Sequence, residues 1–174
     1  MSGASTGGQP RGATVAVMVP ATGTATLLIV HHTVSPRTQR MLDAVVSGAR
    51  DDEIEGVRVE VKPALQAGVA DVLAASGFVL GTPANIGYMS GALKHFFDQV
   101  YYPCREQRAG SPYGVFVHGN LDLTGCLRAL RTCTTGMRWE QAYDDVTVLG
   151  EPTPEDLTRC WELGATLAAR LMPG

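Results

Sequence analysis

Residues 77–98 read GFVLGTPANIGYMSGALKHFFD, and this stretch decides the class of fold. The apolar run from Gly77 to Gly81 has the length and continuity of a strand buried on both faces. A loop rich in Gly, Pro and Asn follows, in which backbone N–H and C=O groups are free to face a planar ligand and Gly87 can adopt unusual dihedrals. Ser90 then caps a helix that carries Leu93, Phe96, Phe97 and Val100 on one face. Strand, exposed loop and amphipathic helix in direct succession form the repeating unit of a parallel sheet.

The same unit recurs on either side. Thr26 to His31 is a second continuous apolar run, followed by Met41, Leu42, Val45, Val46 and Ala49 at helical spacing. Val57 to Val61 alternates with period two, as expected of a strand near the sheet edge, and Val69, Val72 and Leu73 form a short helix. Tyr113 to Val117 is a further apolar strand and leads into a helix bearing Leu123, Cys126, Leu127 and Leu130. Asp145 to Leu149 makes the last strand. Thr153 and Pro154 open a final helix with the stripe Leu157, Cys160, Trp161, Gly164, Leu167, Ala168 and Leu171. These alternating strands and helices predict a parallel α/β sheet covered on both faces.

The 174 residues suffice for one domain. Residues 1–23 carry none of the alternating pattern and read as a flexible tail, leaving 24–174 as the domain. The tail has only Arg11 and a short apolar patch from Val15 to Val19, too little for a secretory signal, so a cytoplasmic location is expected. No apolar run approaches the roughly 18–20 residues that span a bilayer. A net charge of −3 gives no general attraction to nucleic acid. Cys104, Cys126, Cys133 and Cys160 form no metal-binding spacing and read as reduced thiols; no metal site is expected. His31 and His32 are adjacent and face opposite sides of a strand. His95 reads as a surface residue, Trp139 and Trp161 as core or interface residues, and Lys94 and Asp98 as a salt bridge on one helix face.

In such a sheet, ligands collect beyond the carboxyl ends of the strands. The first strand ends in HHTVSPRT, residues 31–38, where Thr33, Ser35 and Thr38 place hydroxyls around a turn that opens a helix. Hydroxyls, amides and a helix N-terminus suit a phosphate, and they equally suit a simple cap. Gly-x-x-x-x-Gly-Lys and Gly-x-Gly-x-x-Gly are both missing, which argues against P-loop and dinucleotide sites. A further strand ends in His118, Gly119 and Asn120.

Residues 82–98 resemble the flavin loop and following helix of flavodoxin-like FMN proteins. They are most similar to the NADPH-dependent FMN reductases and to the NAD(P)H:quinone oxidoreductases related to tryptophan-repressor-binding protein. The shared pattern is carried by Pro83, Gly87, Met89, Ser90, Leu93, Lys94, Phe97 and Asp98. Element order extends the resemblance over residues 26–171. It implies a three-layer sandwich around a five-stranded parallel sheet in the order 2-1-3-4-5. It also implies that Thr33, Ser35, Arg37 and Thr38 hold the FMN phosphate, that the stretch Thr82, Pro83, Ala84, Asn85, Ile86 and Gly87 lines the flavin, and that His118, Gly119 and Asn120 cover its other side. Two departures stand out. Pro36 occupies a place where Gly is common and removes an amide donor. Arg37 replaces a small polar residue and offers a charge-assisted bond instead.

The resemblance implies an oxidoreductase that passes electrons from NAD(P)H through FMN to a quinone or similar small acceptor, with His118 contacting flavin or substrate. No side chain is required as an indispensable acid or base. The alternatives are an electron carrier of flavodoxin type and a flavodoxin-fold scaffold that has lost FMN. Relatives of this kind form dimers or tetramers near the flavin, and Phe96, Tyr101 and Tyr102 suggest an apolar patch for a homodimer or homotetramer.

Overall fold

A computed structural model describes residues 23–173. The tail expected over residues 1–23 lies, except for Gly23, outside the described residues. Among the described residues, no helix is long and apolar enough to cross a membrane.

The continuous apolar runs become the central strands. β1 (Ala25–His31) lies between β2 (Val57–Pro63) and β3 (Gly77–Asn85), parallel to both, and β3 pairs in parallel with β5 (Pro112–Gly119). Leu27 to Val30 are fully buried because both faces of β1 are covered. β2 is at the edge, and its residues are only partly buried, as its alternating sequence predicts. The outermost position beside β5 is shared by the short β6 (Glu140–Gln141) and by β7 (Val146–Leu149). Counting the long strands alone, the order is the expected 2-1-3-4-5.

Two short strands were not anticipated. β6 and β7 pair separately with β5, and across the gap between them the side chain of Gln141 donates to the Tyr143 carbonyl and the Asp145 carboxylate. β4 (Tyr88–Met89) pairs antiparallel with the end of β3, so part of the expected 82–90 loop is a hairpin.

Alternate residues of each central strand face opposite layers. Leu28, Val30, Phe78 and Leu80 pack toward α2 (Val69–Ala74), α3 (Gly91–Cys104) and α4 (Thr124–Gly136). On that side Trp139 stacks on Phe78 with ring centroids 4.0 Å apart. Leu27, Ile29, Val79 and Phe116 pack toward α1 (Pro36–Ala49) and α5 (Pro154–Ala169). α1 and α5 touch backbone to backbone: a Cβ on Gly48 would stand 1.9 Å from the Trp161 carbonyl oxygen, and one on Gly164 would stand 1.9 Å from that of Val45. This seats α1 firmly on the sheet and orients its N-terminus.

Other expectations meet the structure directly. Ser90 and Thr153 cap α3 and α5, Lys94 pairs with Asp98 at 2.6 Å, and all four cysteines are free. His95 is exposed and contacts Gln99. The expected apolar patch is not on the surface. Phe96 is fully buried between α3 and the sheet, and Tyr102 alone of that group is well exposed.

Candidate functional site

β1, β3 and β5 run parallel in close register, His31 beside Gly81 and Pro83 beside His118, so their carboxyl ends open on one edge. There they enclose a cavity of about 640 Å³. That size lies within the range of sites for small ligands and cofactors. Each loop singled out in the sequence contributes to its wall.

From the first loop come Ser35, Pro36 and Arg37, with Val34 beside them. Ser35 is the N-cap of α1 and forms a reciprocal box with Thr38: the Thr38 amide donates to Ser35 Oγ at 3.2 Å, and the Ser35 amide to Thr38 Oγ1 at 3.2 Å. Thr38 also donates its hydroxyl to the Ser35 carbonyl at 3.0 Å and is 2% exposed. Its hydroxyl is thus engaged in the cap and does not face the cavity. Thr33 stands off the wall, with its hydroxyl 2.9 Å from Nδ1 of His31. Pro36 has no amide hydrogen, the Thr38 amide is engaged, and the Gln39 amide donates to the Ser35 carbonyl. In the first turn of α1 this leaves the Arg37 amide, so an anion here depends mainly on side chains.

The second loop contributes Pro83, Ala84 and Asn85. Thr82 lies beneath them, 1% exposed, accepting from the Ser90 amide at 3.1 Å and donating to the Pro83 carbonyl at 2.9 Å. Ile86 and Gly87 form the tip of the β3–β4 hairpin, away from the wall, with φ of +50° and +72°. Positive φ at both central residues is what a two-residue type I′ connection requires. Gly87 accepts it freely, whereas Ile86, β-branched and fully exposed, is held there under strain.

The third loop supplies His118, Gly119 and Asn120. His118 is 5% exposed, and its Nε2–H donates to the Gly150 carbonyl at 2.7 Å. Since a carbonyl only accepts, this bond places a proton on Nε2. It also ties the end of β5 to the turn after β7. Asn120 Oδ1 accepts from Arg37 Nη1 at 3.2 Å, which joins the third loop to the first.

Two charged wall residues are not among those expected from the sequence. Arg40 follows Arg37 by three positions and shares its helix face, a spacing that was there to be read. Glu151 lies just beyond β7, in a fourth strand-end loop that the carboxyl-end rule covers equally. Glu151 Oε2 accepts from Arg37 Nε at 2.8 Å and Oε1 from Arg40 Nη1 at 2.5 Å. The hydrogen bond from Arg37, reinforced by the charge of both arginines, holds the Glu151 carboxyl below the usual carboxylate range. The site therefore has a cationic corner at the start of α1, and the adjacent strand ends of β3 and β5, with Pro83, Ala84, His118 and Gly119, form the rest of its wall. Apolar side chains of Val34, Ile86, Leu121 and Leu149 stand exposed at these loop ends.

No family model matches the chain. A flavodoxin of Aquifex aeolicus is 38% identical over 74 residues, which are 42% of this chain and 39% of that protein. A flavodoxin from the domain Archaea superposes with a TM-score of 0.71 at 18% identity, covering 84% of this chain and 98% of the other. The fold is flavodoxin-like. A WrbA-like flavodoxin from Agrobacterium tumefaciens shares it with a TM-score of 0.68 at 21% identity, over 86% of this chain and 99% of that one. The cavity of this flavodoxin-like chain lies beyond the carboxyl ends of β1 and β3, where its strand order reverses, as the general rule for open α/β sheets requires.

Proposed function

We propose that the chain binds FMN across its three strand-end loops and acts as an NAD(P)H-dependent oxidoreductase with a quinone-like acceptor. The observation that carries this reading is the convergence of those loops on one cavity with a cationic corner. The donor set fits the cofactor. Arg37 and Arg40 supply charge-assisted bonds for a phosphate, while Pro83, Ala84 and Gly119 present flat, small surfaces to a ring. When bound, FMN supplies the redox chemistry, accepting hydride equivalents and releasing electrons.

The protein's own part is to hold and orient. The Arg37 bond to Asn120 fixes the phosphate corner relative to the third loop, and Thr82 fixes the base of the hairpin. His118 keeps its proton on Nε2 through Gly150 and offers the cavity a rigid edge. Val34, an exposed apolar side chain in the cavity wall, suits an apolar acceptor.

A second reading, an electron carrier without a substrate of its own, is favoured by the partial match to a flavodoxin. The two are separated in sequence. FMN fluorescence titration should give a dissociation constant below about 100 μM, and weaker binding would defeat both. Consumption of NADH or NADPH with a quinone identifies the enzyme, and absence of turnover with either nucleotide leaves the carrier.

A further inference from the structure

Among the described residues, Glu151 is the one acid in the cavity wall. It sits at the cationic corner, and each of its carboxylate oxygens takes a different guanidinium, Arg37 at 2.8 Å and Arg40 at 2.5 Å. A carboxylate bridging two arginines at the start of a helix is arranged as a ligand's anionic group would be. With the amides of Thr38 and Gln39 engaged in the cap and none on Pro36, these guanidiniums are the main donors open to an anion. Any phosphate that enters competes with Glu151 for the charge of both guanidiniums and for the two N–H groups it holds, Nε of Arg37 and Nη1 of Arg40. All three side chains are substantially exposed, from 44% to 62%, so the ion pairs are weak enough to exchange.

We propose that Glu151 is a built-in competitor for the ligand's phosphate, a carboxylate that occupies Arg37 and Arg40 in the free protein and holds down affinity for the phosphate end. The proposal rests on the FMN reading above. A phosphate monoester carries nearly two charges at neutral pH and displaces a singly charged carboxylate; a ligand without phosphate has no means to do so. Glu151 thereby keeps the cofactor exchangeable, because on release the carboxylate closes again over the two arginines.

The test compares FMN with riboflavin on the wild-type protein and on Glu151→Gln, which preserves shape and removes charge. FMN is expected to bind the variant about fivefold more tightly, while riboflavin affinity stays within about twofold. In Arg40→Gln/Glu151→Gln, compared with Arg40→Gln alone, the gain should shrink, since one of the contested donors is gone. Unfolding midpoints of wild type and Glu151→Gln should coincide, because the side chain is exposed. If FMN binds the variant no better than the wild type, or if riboflavin gains as much as FMN, the competitor role is overturned. Absence of FMN binding by both proteins overturns the functional reading itself, and the proposal with it.

Discussion

The carbonyl oxygen of Gly87, at the tip of the β3–β4 hairpin, rests on Gly125 in the first turn of α4; a Cβ on Gly125 would stand 2.0 Å from it. The hairpin that carries Pro83, Ala84 and Asn85 into the cavity is thus braced by a helix on which no candidate ligand residue sits.

Gly125→Ala should push the hairpin off this seat. Overpacking against backbone costs about 1–3 kcal/mol. If half of that is relieved by moving the hairpin, FMN affinity falls about two- to tenfold. Titration of FMN together with a thermal melt checks both effects; unchanged affinity would mean that the hairpin does not set the cavity wall.

Ile86→Asn should stabilise the fold. The side chain is fully exposed, so no packing is lost, and the strain of a β-branched residue at φ +50° is removed. The left-handed penalty is roughly 1–2 kcal/mol, and asparagine tolerates the region better. Urea unfolding should give a gain of about 1 kcal/mol.

Burial, with the neighbouring charge of His32, lowers the pKa of His31. The unfolded chain takes up a proton at this position near pH 6.5, whereas the folded chain does so only at lower pH. Stability supplied by neutral His31 is complete above the unfolded value and is lost as pH falls from about 6.5 toward the folded value. His31→Gln should show a smaller loss of stability than the wild type when unfolding is compared at about pH 7.5 and 5.5.

Burial pushes the thiols of Cys126 and Cys160 up to about 12 and raises that of Cys104 as well. Thiolate is the reactive form. At about pH 8 a thiol reagent should leave these three unmodified in the native protein and titrate them only in denaturant. Mass spectrometry of the labelled protein identifies any that react early.

The strands and their layers were legible because burial on both faces demands uninterrupted apolar runs, and Leu27 to Val30 and Phe78 to Leu80 supply them. Thr153 with Pro154, and Ser90 before its apolar helix, marked helix starts through local bonding that needs no tertiary partner. β6 was not legible, since Glu140 and Gln141 owe their pairing to a neighbouring strand and carry no apolar pattern. The hairpin was hidden for a related reason: an exposed Ile ahead of Gly87 does not announce a turn that needs positive φ at both positions.

The sequence by itself determined the alternation of strand and helix and, through the carboxyl-end rule, which loops would carry a site. Both follow from periodicity and chain direction, which are properties of neighbours along the chain. Which polar atoms remain free was decided only by tertiary structure. Thr38 reads as a phosphate ligand until its hydroxyl is seen closed onto Ser35, and Glu151, remote from Arg37 and Arg40 along the chain, meets them only because β7 lies beside β5 and α1 is pressed onto α5. Hydrogen-bond capacity is spent wherever partners come within about 3 Å, and that distance is set by packing rather than by sequence order.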